Sequence, residues 1–154
     1  ARRDEDIRVE LIGDGLARSA LQTRAEEDGI DNVEFPGRVS DEELQRRIDA
    51  ADVCLGIFSD HLLARCSITN KVCEALAMRK LVITRHLPPG IGLRSGEHLL
   101  TVPPESPEEL ATTIMEIRDD EGLHEEIAAG GYEYFQEHLG ERAIGRRLAA
   151  LPET

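Results

Sequence analysis

Ser67-Ile68-Thr69-Asn70-Lys71-Val72-Cys73-Glu74-Ala75-Leu76-Ala77-Met78-Arg79-Lys80-Leu81-Val82-Ile83-Thr84 reads as a polar loop and then a helix start at Thr69 and Asn70. About three helical turns follow, and then a short buried strand, Leu81 to Thr84. A loop feeding a helix whose first turn carries Thr, Asn and Lys presents free backbone N–H groups, a positive dipole end and an ammonium to one spot, which suits a phosphate. Glu74 lies four residues after Asn70 and so on the same face, where a carboxylate can accept hydrogen bonds from the hydroxyls of a sugar attached to that phosphate. Taken singly, each residue is also an ordinary helix component: Thr and Asn cap, and Lys and Glu are good helix formers.

Outward from this stretch the chain alternates. Upstream, Asp52 to Phe58 is a near-continuous apolar run, expected as a strand buried on both faces of a parallel sheet. Before it, Ser40 with Glu43 has capping-box spacing, and Leu44, Ile48 and Ala51 supply the stripe of a helix. Asn32 to Phe35 is a short strand closed by Pro36-Gly37. Leu16 to Glu27 has helical spacing through Leu16, Ala20, Leu21 and Ala25 and ends at a glycine cap, Gly29. Ile7 to Ile12 is a strand entering the tight turn Gly13-Asp14-Gly15. Downstream, Arg85 to Gly96 is a loop rich in Gly and Pro, and His98 to Val102 is a strand. Ser106 and Pro107 open another helix, and Leu123 to Leu139 and Glu141 to Leu151 are helical. Alternation of this kind predicts an α/β fold, a Rossmann-like doubly wound parallel sheet with helices on both faces. Ligands then sit beyond the carboxyl ends of the strands, where Gly13-Asp14-Gly15, Gly37-Arg38, Ser59 to Asn70 and Arg85 to Gly96 fall.

Composition narrows the function. The 154 residues suffice for a single domain with a real core, which 40% hydrophobic but only 3% aromatic residues make aliphatic. A formal net charge of −13 disfavours nucleic acid and anionic membrane surfaces as broad partners, so an anionic ligand must be held locally. Cys54, Cys66 and Cys73 form neither a CxxC pair nor a zinc pattern and fit a reducing cytoplasm. His61, His86, His98, His124 and His138 lack metal spacing, and no EF-hand loop is present, so no metal is expected. The charged lead Ala1 to Asp6 predicts no signal peptide, and no apolar run approaches membrane-spanning length.

Five segments together resemble the C-terminal, donor-binding domain of group 1 retaining glycosyltransferases of GT-B fold. They are Ile12-Gly13-Asp14-Gly15, Val33 to Val39, Ala51 to Leu55, Asn70 to Met78 with Leu81 to Thr84, and Gly96 to Pro104, in the family's order over about residues 7 to 130. The resemblance implies that Glu74 contacts the ribose of a nucleotide, and that the loop and helix start around Ile68, Thr69 and Asn70 meet the diphosphate, beside the Lys71 ammonium that the helix start itself presents. It implies further that the backbone near Arg38 and Val39 meets the base, and that Gly13 and Gly15 allow close approach of the chain. The chain departs from the family at three positions: Cys66 stands where many members carry a glutamate that touches the donor sugar, Arg79 where glycine is usual, and Leu81 where proline is usual.

The function expected on this resemblance is binding of an NDP-sugar by the donor half of a transferase, with a non-catalytic GT-B-like module as the alternative. The catalytic residue is not identified. A receiver-type signalling module is disfavoured because only Asp14, in a glycine turn, follows the first strand. The family's acceptor-binding N-terminal domain is expected outside these residues, which alone should transfer no sugar, and the helices within 132–154 are candidates to dock on it. The expected location is the cytoplasm, with peripheral membrane association of the full-length protein left open.

Overall fold

The computed structural model describes residues 7–150; the charged lead and the last expected helical residue, Leu151, lie outside them. Its elements are β1 (Val9–Ile12), α1 (Arg18–Glu27), β2 (Val33–Gly37), α2 (Asp41–Ala50), β3 (Val53–Leu55), α3 (Asn70–Ala77), β4 (Leu81–Arg85), β5 (Leu100–Val102), α4 (Pro107–Arg118), α5 (Glu121–Tyr134) and α6 (Glu141–Ala149). A 3₁₀ turn, Leu62–Arg65, precedes α3, and a π-helical turn, Phe135–Leu139, joins α5 to α6. The chain divides into two compact units, residues 1–47 and 48–154.

In the first unit β1 and β2 pair in parallel, Val9 beside Val33 and Glu10 beside Glu34, with a register shift before Ile12 meets Gly37. Helix α1 ends in a Schellman motif: Gly29, at φ 60°, donates to Glu26 O at 3.1 Å, and Ile30 donates to Ala25 O at 2.7 Å. Ser40 Oγ accepts from the Glu43 amide at 3.2 Å, one half of the expected capping box. The Glu43 carboxylate turns instead to Arg47, at 2.7 Å, and Arg47 also meets Glu10 at 2.7 Å. Those two carboxylates raise the Arg47 pKa above the usual arginine range. The apolar stripe expected along α1 is not buried: Leu16 is fully exposed, Leu21 is 47% exposed, and the helix contributes no core residue.

In the second unit β3, β4 and β5 form a parallel sheet with β4 at its centre. Every residue of β4 is buried, while β3, expected to be buried on both faces, is only half-buried. The reason is position. Burial on both faces requires a covered central strand, and among the strands of this unit β3 pairs only with β4. Helices cover both faces, as alternation along β4 shows. Val82 packs with Val72, Ala75 and Leu76 of α3, whereas Leu81 packs with Ile117 of α4 and with Ile127 and Ala128 of α5. Each fully buried Val, Leu or Ile among them contributes about 1.5–3 kcal/mol.

Two glycine features explain how the layers close. A Cβ on Gly56 would lie 2.4 Å from Thr84 Oγ1, so only glycine lets the chain leaving β3 run against that buried hydroxyl. In α5 a Cβ on Gly130 would lie 2.2 Å from Glu97 O and one on Gly131 2.3 Å from His98 O. The helix backbone therefore seats directly on the turn before β5, and its two glycines, poor helix formers by propensity, are there for packing.

Candidate functional site

Parallel strands put the loops that follow them at one edge of a sheet. In the first unit this brings Gly13 to the end of β2, one residue before Arg38: the Gly13 amide donates to Gly37 O at 2.9 Å, and Gly13 holds φ 131°, which few side chains tolerate. Nothing lies within 4 Å of a Cβ built on Gly13 or Gly15, so both leave room for a ligand. Arg18, not foreseen from the sequence, holds this edge together by donating to Phe35 O at 2.9 Å and to Asp14 at 3.3 Å. Its spacing of four from Asp14 was the available signal. Arg38 is exposed and Val39 half-buried.

In the second unit Ile68, Thr69, Asn70, Lys71 and Glu74 lie together at the start of α3. Thr69 is the N-cap in extended conformation, and its carbonyl accepts from Val72 at 3.0 Å and from Cys73 at 3.3 Å. Its side chain does not cap, and its Oγ1 is buried without a hydrogen-bond partner among the described residues. The first amides of a helix also lack internal acceptors, so α3 begins with several polar groups still available. Asn70, Lys71 and Glu74 are exposed. Glu74 stands on the outer face of α3, because the adjoining positions Val72, Ala75 and Leu76 take the core side. Partial desolvation lowers the Lys71 pKa. Ile68 is half-buried against the cluster around Leu76 and Leu99, which ties the loop to the core.

Two departures from the family pattern take physical form. Cys66 is an exposed free thiol at the end of the loop. Arg79 sits at φ 56°, where its amide donates to Leu76 O at 3.0 Å and Lys80 donates to Ala75 O at 2.9 Å. These are the two bonds of a Schellman motif, whose left-handed position glycine ordinarily fills.

The edge of the three-stranded sheet also carries charge that the sequence reading passed over. Arg85, at the end of β4, is 8% exposed. It donates to Ser59 O at 3.3 Å and meets Asp60 Oδ1 at 3.3 Å. Asp60 is held by Arg65 as well, through Nε at 3.0 Å and through Nη2, and these hydrogen bonds keep its carboxyl below the usual range. Arg85 closes the buried strand Leu81–Arg85, and an arginine ending an apolar run was the signal for it. Among the described residues no group of three or more His, Cys, Asp or Glu side chains could hold a metal ion, and no helix is long and apolar enough to cross a membrane.

Comparison with known structures agrees with this architecture. The chain is similar to the Anabaena protein HepE, solved in complex with UDP, at a TM-score of 0.75 and 18% identity over 94% of this chain and 41% of HepE. It is similar to the C-terminal domain of the Francisella tularensis glycosyl transferase group 1 family protein LpcC, at a TM-score of 0.66 and 19% identity over 80% of this chain and 63% of that one. Against sucrose-phosphate synthase from Thermosynechococcus elongatus the TM-score is 0.74 and the identity 23%, over 91% of this chain and 36% of that one. At such identities the likeness establishes a shared GT-B, Rossmann-like fold, and the chain spans only 36 to 63% of these proteins' lengths. None of the curated proteins compared with the chain matches it. The family model for glycosyl transferases group 1 matches residues 1–120, and with parallel sheets, covering helices and the α3 start in place, the chain belongs to that family.

Proposed function

We propose that these residues form the nucleotide-sugar-binding half of a retaining glycosyltransferase, whose acceptor is held by an N-terminal domain of the same cytoplasmic protein. The observation that carries this reading is the start of α3. An unpartnered Thr69 hydroxyl, the free first amides, the exposed Lys71 ammonium and, one turn on, the exposed Glu74 carboxylate share one patch. A diphosphate placed there meets donors and a positive dipole end, and a ribose beyond it meets an acceptor for its hydroxyls. On departure of the sugar the charge developing on the diphosphate is stabilised by those same fixed donors. The reading therefore needs no metal ion. HepE, a protein of like fold, has been solved with UDP and with UDP-glucose, which supports a nucleoside diphosphate as the class of ligand.

A second reading, a binding module without turnover, is favoured by one residue: Cys66, whose sulfur accepts hydroxyl hydrogen bonds far more weakly than the family's glutamate. Calorimetric titration of the full-length protein with UDP, GDP and ADP and their sugars, beside a product assay, separates the two. Glu74→Ala should weaken the binding nucleotide by roughly 1.5–3 kcal/mol, the scale of a hydrogen bond to a charged group. Lys71→Met should weaken the diphosphate but not the nucleoside, and less so at high salt. Wild-type affinity in a folded Glu74→Ala protein would refute the site. Tight binding with no product would favour the module.

A further inference from the structure

Chain leaving β3 must turn away from the sheet and still deliver Ile68 and Thr69 to the start of α3. Backbone pairing holds it as far as Ile57, which accepts from the Arg85 amide at 2.9 Å, and Phe58 O accepts from the Glu105 amide at 2.9 Å. At Ser59 and Asp60 charged side chains take over. Arg85 reaches in from the end of β4 to Ser59 O and the Asp60 carboxylate. Glu105, from the loop after β5, accepts from the Asp60 amide at 3.4 Å. Arg65, from the 3₁₀ turn, folds back on both Asp60 oxygens and on Asp60 O at 3.2 Å. The loops after β3 and β5 and the last residue of β4 thus meet at one aspartate.

This junction is costly in two visible ways. The Arg85 guanidinium is nearly buried, and its Nε finds no acceptor among the described residues. Glu105 holds φ 55°, a conformation that disfavours any residue but glycine. The Asp60 side chain is 35% exposed, so solvent screens the pair and leaves it little net stability to set against the cost of burying the guanidinium; stability alone does not account for Arg85. Strain and under-satisfied buried charge persist where geometry is over-determined, characteristically beside functional sites.

We infer that Arg85 and Asp60 are positioning residues: their junction fixes the path of residues 59–69 and thereby the placement of the α3 start that receives the nucleotide diphosphate. The inference rests on the donor-binding reading, and its two failures are distinguishable. Arg85→Met keeps the length of the side chain without its charge, Arg85→Lys keeps the charge without the fork, and Asp60→Asn keeps the shape of the acceptor.

Hydrogen exchange across residues 59–69 of the full-length protein is compared with affinity for whichever of UDP, GDP and ADP binds the wild type. The Arg85→Met protein should fold, exchange residues 59–69 at least tenfold faster with α5 unchanged, and bind the nucleoside diphosphate at least fivefold more weakly. The matching nucleoside should lose less, because a merely structural defect would weaken both alike. Arg85→Lys should recover part of the loss. A folded Arg85→Met protein with wild-type loop exchange, or with a loosened loop and wild-type affinity, overturns the inference. If Arg85→Met does not fold, Asp60→Asn decides by the same two readings. If the wild type binds none of the three nucleotides, the donor reading falls and takes this inference with it.

Discussion

Replacing Arg79 by glycine should stabilise the protein although it removes a side chain. Arg79 occupies the left-handed position of the Schellman motif closing α3, at φ 56°. Its side chain is exposed and makes no hydrogen bond or ion pair among the described residues. A side chain in that conformation costs about 1–2 kcal/mol. Against its relief stand about 0.5–1 kcal/mol of extra chain entropy in unfolded glycine and about 0.3 kcal/mol for losing a cation beside the helix C-terminus. The balance is a gain of roughly 0.5 kcal/mol, a rise in Tm of about 1–2 °C for a domain of this size. The sharper comparison is with Arg79→Ala, which discards the charge but keeps the β-carbon. Arg79→Gly should exceed it by about 1 kcal/mol in urea unfolding at constant m. If the two variants are equally stable, the left-handed strain is not there and the reading of this helix end is wrong.

Gly131→Ala should destabilise by roughly 2 kcal/mol or more, because its Cβ would meet His98 O at 2.3 Å and Leu76 Cδ2 at 2.7 Å and overpacking outweighs the gain in helix propensity. Gly145→Ala in α6, with nothing within 4 Å, should be neutral or stabilising by up to about 1 kcal/mol; equal thermal melts for the two would contradict the packing. Stability should also rise with pH in the window just below 6.5, where the unfolded chain protonates His98 and the folded chain resists. Burial first and then Arg94 and His138 lower this pKa against an opposing pull from Glu97, while His98 Nδ1 accepts from the Arg94 amide at 3.0 Å and the ring packs on Tyr134. Urea midpoints at pH 5 and pH 7 should differ less in His98→Gln than in the wild type, and an unchanged difference would remove His98 as the cause.

What the sequence determined by itself was the order and type of its elements, because period, caps and turn residues are local properties. The helix start at Thr69 and Asn70, the Gly29 cap, the Ser40 cap and the parallel α/β class could all be read before any coordinates. So could the shared face of Asn70 and Glu74, four residues apart on one helix. Tertiary structure alone decided burial and pairing. Apolar content did not separate half-buried β3 from fully buried β4, because that difference depends on which strand has neighbours on both sides. The same spacing that promised a buried stripe on α1 left Leu16 and Leu21 open, because periodicity defines a face without saying what covers it. Nor could spacing join Asp60 to Arg85 and Glu105, which come together only where the loops after β3 and β5 meet the end of β4. Propensity counts Gly130 and Gly131 against a helix; the contact of α5 with the turn at Glu97 and His98 is the reason that glycine belongs there.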